Sequence, residues 1–277
     1  MLDKEKILHS FSRAATTYEE NAVVQKKMAH LLLQQTQKVS RSFSHILEIG
    51  CGTGYLTRLL SKSFPSADIV ATDISETMLT QASILQTGKN VRFERQDGEN
   101  LSLNTKFDLI ISNAAFQWFN NYDAAFSGFF RHLTSEGLLL YATFGPETFY
   151  ELHTSFNQAR HSLTLPSDIR HGPPFASSAS LADYASNNGL FCHHREKTEL
   201  LYYPSVRSFL SSIKKVGANH TPTSVSNNFN RKLLPTMISH YEQLFCTEDG
   251  LIPATYHLVF GQAQKQAPAS GTAAQCG

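Results

Sequence analysis

Glu48, Gly50, Gly52 and Gly54 stand close together in ILEIGCGTGYLTRLL (46–60). An apolar run meets an acid, three glycines alternate with other residues, and a leucine-rich segment with helical spacing follows. The spacing is G-x-G-x-G, which is not the G-x-G-x-x-G of a dinucleotide loop, and no Lys-Ser/Thr pair follows as in a phosphate loop. Glycines let the backbone pass close to a ligand and turn sharply into a helix. An acid at the loop entrance disfavours pyrophosphate and suits a cationic ligand. Asp73 lies 25 residues after Glu48 and ends the apolar segment IVATD (69–73). An acid at such a strand end accepts bonds from ribose hydroxyls. Asp97 ends VRFERQD (91–97), is followed by Gly98, and can accept from an adenine amino group. One of these acids alone could be a cap or a surface charge. Three at neighbouring strand ends, in register with the glycines, fit a nucleoside that carries positive charge. S-adenosylmethionine is such a ligand, with adenine, ribose, a sulfonium and an ammonium.

The elements that must hold these residues follow from hydrophobic period. Residues 1–40 read as helical, with Val24, Met28, Leu31 and Leu32 forming one apolar stripe. From Phe43 the period changes. HILEIG, IVATD, VRFERQD, FDLIISNAAF (107–116) and GLLLYATFG (137–145) read as strands. Helices are expected over about 75–86 and over Tyr122–Leu133. Strands alternating with helices imply a mostly parallel sheet with helices on both faces. After Gly145 the pattern loosens. Residues 164–180 read as a loop, Leu181–Gly189 as a short helix and 191–203 as a long strand. Helices over about 205–217 and 229–246 precede a last strand at 254–263. These late insertions suit a substrate cap. The division expected is N-terminal helices over the site (1–40), a cofactor-binding core (41–145), a capped remainder of the same domain (146–264) and a disordered tail (265–277).

Composition excludes several classes. The chain has 277 residues, 41% hydrophobic and 17% charged, with a formal net charge of +1. Nothing global points to nucleic acid or an anionic membrane surface. Cys51, Cys192, Cys246 and Cys276 form no CxxC pair and suit no metal site, so reduced cytoplasmic thiols and no metal are expected. The twelve histidines are scattered and read as structural. The opening MLDKEKILHSF does not read as a signal peptide, and no apolar run approaches the roughly 20 residues that span a bilayer.

The E-x-G-x-G-x-G loop, Asp73, Asp97 and FDLIISNAAFQW together resemble the class I S-adenosylmethionine-dependent methyltransferases over roughly 44–145. The flanks are narrower. Phe11, Arg13, Ala14, Ala15, Tyr18, Ala22 and Gln25 lie in FSRAATTYEENAVVQ, which resembles the N-terminus of the biotin-pathway malonyl-acyl-carrier-protein O-methyltransferases. NAAFQWFNN (113–121), ATFGPETFYEL (142–152), VRSFLSSIKKVGA (206–218) and IPATYHLVFGQA (252–263) are similar to that family's later segments. The resemblance covers nearly the whole chain apart from the tail.

That resemblance implies a Rossmann-like seven-stranded fold and methylation of the free carboxylate of a malonyl thioester on acyl carrier protein. A monomer with no nucleic-acid or membrane partner is expected. A malonyl carboxylate is ionised at neutral pH and needs no general base. Gly50, Gly52 and Gly54 would approach the methionine part of the cofactor. Asp73 would hold the ribose, Ile74 would pack on the adenine, and Asp97 with Gly98 would meet the adenine edge. Asn113 would offer its carbonyl to the ammonium. Tyr18 and Gln25 would close over the cofactor, with plain helix packing as the alternative. Phe116, Gln117 and Trp118 would line the transfer pocket, with a core role the alternative for Trp118. The substrate carboxylate needs a cation or several donors. Arg207, Lys214, Lys215, Arg160 and Arg170 are the cap cations available, Arg207 and Lys214 foremost. Two rivals share the fold: a methyltransferase for a small free acid or quinone, and a non-methylating assembly factor or hydroxylase.

Overall fold

Neighbouring residues along each strand pack onto opposite faces of one sheet. Along β4 (Phe107–Asn113), Leu109 and Ile111 enter one hydrophobic cluster and Ile110 the other. Along β5 (Leu133–Phe144), Leu138 and Leu140 alternate with Leu139 and Tyr141 in the same way. Both faces are buried, which is why these strands read as continuous apolar runs. The computed structural model describes residues 2–166, 172–217 and 231–266.

Three helices precede the sheet: α1 (Lys4–Ala14), α2 (Tyr18–Asn21) and α3 (Val23–Gln37). There follow β1 (His45–Ile49), α4 (Tyr55–Ser63), β2 (Asp68–Asp73), α5 (Glu76–Leu85) and β3 (Val91–Arg95). After β4 come a short 3-10 turn at Phe116–Trp118, then α6 (Tyr122–His132) and β5. The remainder holds α7 (Tyr150–Ser162), α8 (Ser178–Asn187), β6 (Leu190–Tyr203), α9 (Val206–Lys215), α10 (Leu233–Phe245) and β7 (Ile252–Lys265). The strand order is β3-β2-β1-β4-β5-β7-β6, parallel from β3 to β5, with β7 antiparallel to both of its neighbours. α3, α4, α7, α9 and α10 cover one face; α6 and α8 cover the other. On α3 the expected stripe is buried through Val24, Met28 and Leu32, each contributing about 1.5–3 kcal/mol of burial.

The strand order reverses between β1 and β4, and ligands of open α/β sheets bind outside the carboxyl ends at such a point. Glu48, Gly50 and Asn113 all sit there.

Several boundaries differ from expectation. The N-terminal helical region is broken around Ala15–Thr17 and at Ala22. β5 starts at Leu133, with a register irregularity between Phe107 and Leu109. α7 was not expected, because much of what it buries is polar: Glu151, Ser155 and Arg160. α8 begins inside the expected loop, where the Ser177 side chain accepts from Ser180 N. Lys265 belongs to β7 and pairs with Leu190, so the strand takes the first residue assigned to the tail. Residues 267–277 of that tail, Cys276 among them, lie outside the described residues, as does Arg170. Cys51, Cys192 and Cys246 are free thiols.

Candidate active site

The glycine loop leaves β1 with Gly50 and Gly52 at φ of +69° and +53°. These left-handed conformations favour glycine. At Gly50 a Cβ would stand 2.5 Å from the Ala115 Cβ, so the loop can pass the end of β4 only without a side chain. At Gly52 nothing lies within 4 Å of that position. Gly52 borders a cavity. Gly54, unlike the other two, is not on the cavity wall; it turns the chain into α4 and packs against Ala82.

Asp73 holds this loop in place. Its Oδ2 accepts from Gly52 N at 2.9 Å and its Oδ1 accepts from Ser75 N at 2.8 Å. A carboxylate has about four acceptor positions, so two remain for hydroxyl groups. Burial pushes the Asp73 carboxyl above its usual range, offset in part by those amides. Glu48 is 1% exposed, and Thr57 Oγ1 on α4 donates to its Oε2 at 2.6 Å. Burial, with the Asp73 charge adding to it, pushes the Glu48 carboxyl up to about 7. The nearby Arg58 is committed to Glu19, with 2.7 Å contacts to both carboxylate oxygens. Asn113 donates from Nδ2 to Gln25 O at 3.0 Å, while its Oδ1 is buried with no partner among the described residues. An orphaned acceptor beside the buried Glu48 and the half-buried Asp73 fits a ligand that brings an ammonium and a second positive charge.

The cavity, of about 130 Å³, gathers Gln25, Glu48, Gly50, Gly52, Asp73, Ile74, Asp97, Gly98 and Asn113. Asp97 is more engaged than its place in the sequence suggests. Its Oδ1 accepts from Glu99 N at 3.0 Å, and Lys4 of α1 reaches its Oδ2 at 2.5 Å. Lys4 also pairs with the buried Glu99, which receives Asn120 N at 2.6 Å. Lys4–Asp97 and Glu19–Arg58 tie α1 and α2 over the cavity. Residue type alone could not have revealed these pairs, since 93 residues separate Lys4 from Asp97.

A second cavity of about 670 Å³ adjoins the first under the cap. Its wall is mainly aromatic and aliphatic, with Phe144, Phe149, Phe156, Phe175, Leu210 and Tyr256. None of these was singled out from sequence. Among the described residues, five line both cavities: Phe11, Tyr18, Gln25, Ala114 and Trp118. Gln117 lines the second only, and its amide is held by Ala114 O at 2.6 Å and Thr143 Oγ1 at 3.0 Å. Phe116 corrects an expectation. It is fully buried on the opposite face, stacked between Phe129 and Tyr141, and lines neither cavity. Lys214 lines the second cavity; Arg207 and Lys215 are exposed and do not line it. Arg160 is buried and donates to Pro166 O at 3.0 Å, away from both walls.

A glycine loop at the switch point, acids at three strand ends and an adjoining apolar cavity define a class I S-adenosylmethionine-dependent methyltransferase. A family model described as a methyltransferase domain matches residues 46–137. Among solved structures, the YcgJ protein of Bacillus subtilis shares the fold, with a TM-score of 0.60 at 22% identity over 86% of this chain and 100% of that one. Two curated relatives are much nearer in sequence. The malonyl-[acyl-carrier protein] O-methyltransferase of Bacillus anthracis is 39% identical over 96% of this chain and 99% of its own length. That of Acetivibrio thermocellus is 39% identical over 98% and 97%. The chain belongs to the malonyl-[acyl-carrier protein] O-methyltransferase family, an enzyme family whose methyl donor is S-adenosylmethionine.

Proposed function

We propose that this chain methylates the free carboxylate of malonyl-acyl carrier protein, giving the methyl ester that fatty-acid synthesis can extend toward the pimeloyl thioester of biotin. The observation that carries this reading is the meeting of the two cavities at a wall that, among the described residues, holds no carboxylate, histidine or lysine. No group there is suited to remove a proton, and a carboxylate nucleophile needs none. A hydroxylated or carbon nucleophile would need a base at this point.

S-adenosylmethionine, when bound, supplies a methyl group already activated on a sulfonium. The chain's residues bind, orient and exclude water. Asp73 would take the ribose hydroxyls on its two free acceptor positions, and Ile74 and Gly98 would flank the adenine. Asn113 Oδ1 and Glu48 would receive the positive end. Asp97 would meet the adenine edge. Phe11, Ala114 and Trp118 close the wall against water where the reactants meet. Positioning of this kind can supply about 7–11 kcal/mol. The malonyl unit and its thioester arm would lie in the second cavity, and the cap supports docking of an acidic carrier through Lys214 and its exposed neighbours. In this reading the protein acts as a cytoplasmic monomer. No helix among the described residues is long and apolar enough to cross a membrane.

The test is a mass measurement on the carrier. Protein, S-adenosylmethionine and malonyl carrier should give a carrier heavier by one methylene, with acetyl carrier unchanged. Methylation of free malonate without a carrier requirement would favour the small-acid rival. A gain of one oxygen on another protein would favour the hydroxylase.

A further inference from the structure

The wall shared by the two cavities contains three side chains that can donate hydrogen bonds: Tyr18, Gln25 and Trp118. None of the three makes a side-chain hydrogen bond among the described residues. Phe11 meets the rings of both Trp118 and Tyr18, at 5.2 and 6.3 Å, and Gln25 O accepts from Asn113. The neighbouring Gln117 amide, by contrast, is engaged on both its nitrogen and its oxygen. All three are half-buried and border the cavities, so their donors are open to a ligand there.

Among the described residues, lysines and arginines are placed elsewhere. In the first cavity Lys4 is bound to Asp97 and Glu99, and Lys26 lies over the Tyr55 ring at 5.4 Å. In the second, Lys214 is the one lysine or arginine of the described wall, and it is exposed on α9. We infer that the substrate carboxylate is gripped at the transfer point by the neutral donors Tyr18, Gln25 and Trp118, and not by a cap cation. This rests on the carboxylate reading given above and deepens it.

The chemistry favours neutral donors. A carboxylate accepts only, and these groups donate. A lysine or arginine bound to the attacking oxygen would hold the electron pair that must form the new C–O bond. It would also be left buried and unpaired once the carboxylate became an ester, a costly state. Neutral donors lose only the strength added by charge, so the ester leaves while the site stays intact. Tyr18 keeps its proton throughout, because burial and the charge of Asp73 both raise its pKa.

The experiment measures carboxylate recognition apart from turnover. Wild type, Tyr18→Phe, Gln25→Glu and Lys214→Ala are titrated with malonyl-loaded and acetyl-loaded carrier in the presence of S-adenosylhomocysteine. Affinity for S-adenosylhomocysteine alone reports folding of the site. Wild type should prefer the malonyl carrier. Tyr18→Phe should cut that preference about 10-fold to 100-fold, the effect of one hydrogen bond to a charged group. Gln25→Glu should abolish or reverse it, since a second carboxylate would face the first, while acetyl-carrier binding is retained. A preference intact in both variants but lost in Lys214→Ala overturns the inference. Absence of methylation of malonyl carrier by wild type would defeat the proposed function instead, and the two failures are distinct.

Discussion

Replacing Glu48 by Gln separates what this acid does for the fold from what it does for the ligand. An unfolded glutamate titrates near its ordinary 4.5, and the folded one at about 7. Between those values the native state holds the proton more tightly than the unfolded state does. The stability of the ligand-free protein therefore falls as pH rises through that window, and the full penalty persists above it. At about 1.4 kcal/mol for each unit, the shift corresponds to roughly 3 kcal/mol. A Gln keeps an acceptor for the Thr57 hydroxyl and abolishes the charge, but it adds an amide that needs a partner. A net gain of about 2 kcal/mol for Glu48→Gln is expected at about pH 8–9, shrinking to nothing below about pH 4.5. Urea unfolding of the two proteins at several pH values checks this. Calorimetry checks the other half: wild-type affinity for S-adenosylmethionine should climb as pH rises toward about 7, where Glu48 ionises, and the Gln variant should lack that climb. Parallel stability curves at every pH would refute the idea that Glu48 is held uncompensated in the absence of ligand.

Three further perturbations address the same site. Lys4→Met should lower stability by about 1–2 kcal/mol by leaving the buried Glu99 without its counter-charge, discounted for the partial exposure of Lys4; thermal unfolding would show it. Gly52→Ala should cost about 1 kcal/mol for its left-handed backbone, and its methyl should weaken cofactor affinity by filling open space, read by calorimetry. Asn113→Leu should weaken cofactor affinity about tenfold by removing the orphaned acceptor; unchanged affinity would place the ammonium elsewhere.

The parallel half of the sheet was legible because strands buried on both faces are nearly all apolar, as FDLIIS shows. The acids at their ends were legible because a charge that closes such an apolar run costs free energy unless a partner or ligand meets it there. α7 was opaque for the converse reason: it buries Glu151 by hydrogen bonds to Thr255, and nothing local announces a buried acid. The start of β5 was hidden in LTSEG, which looks like a turn. Residue type does not say which surface a cation faces, so Arg207 reads like Lys214 in sequence although only Lys214 borders the cavity. Phe116 looked like its neighbours Gln117 and Trp118, yet the 3-10 turn sends it to the opposite face. Long-range pairs such as Lys4–Asp97 have no local signature at all.

The shared wall has a consequence for inhibition. Phe11, Tyr18 and Gln25 come from the helices that precede the sheet, and they border both cavities. Whatever orders those helices on one side shapes the opening on the other, so each ligand should raise affinity for its neighbour by the same factor. A bisubstrate compound, with a nucleoside joined through a short linker to an acyl-pantetheine mimic, would meet its second site at high effective concentration. Selectivity would follow as well, because an enzyme whose two reactants enter through unconnected chambers gives such a linker no path.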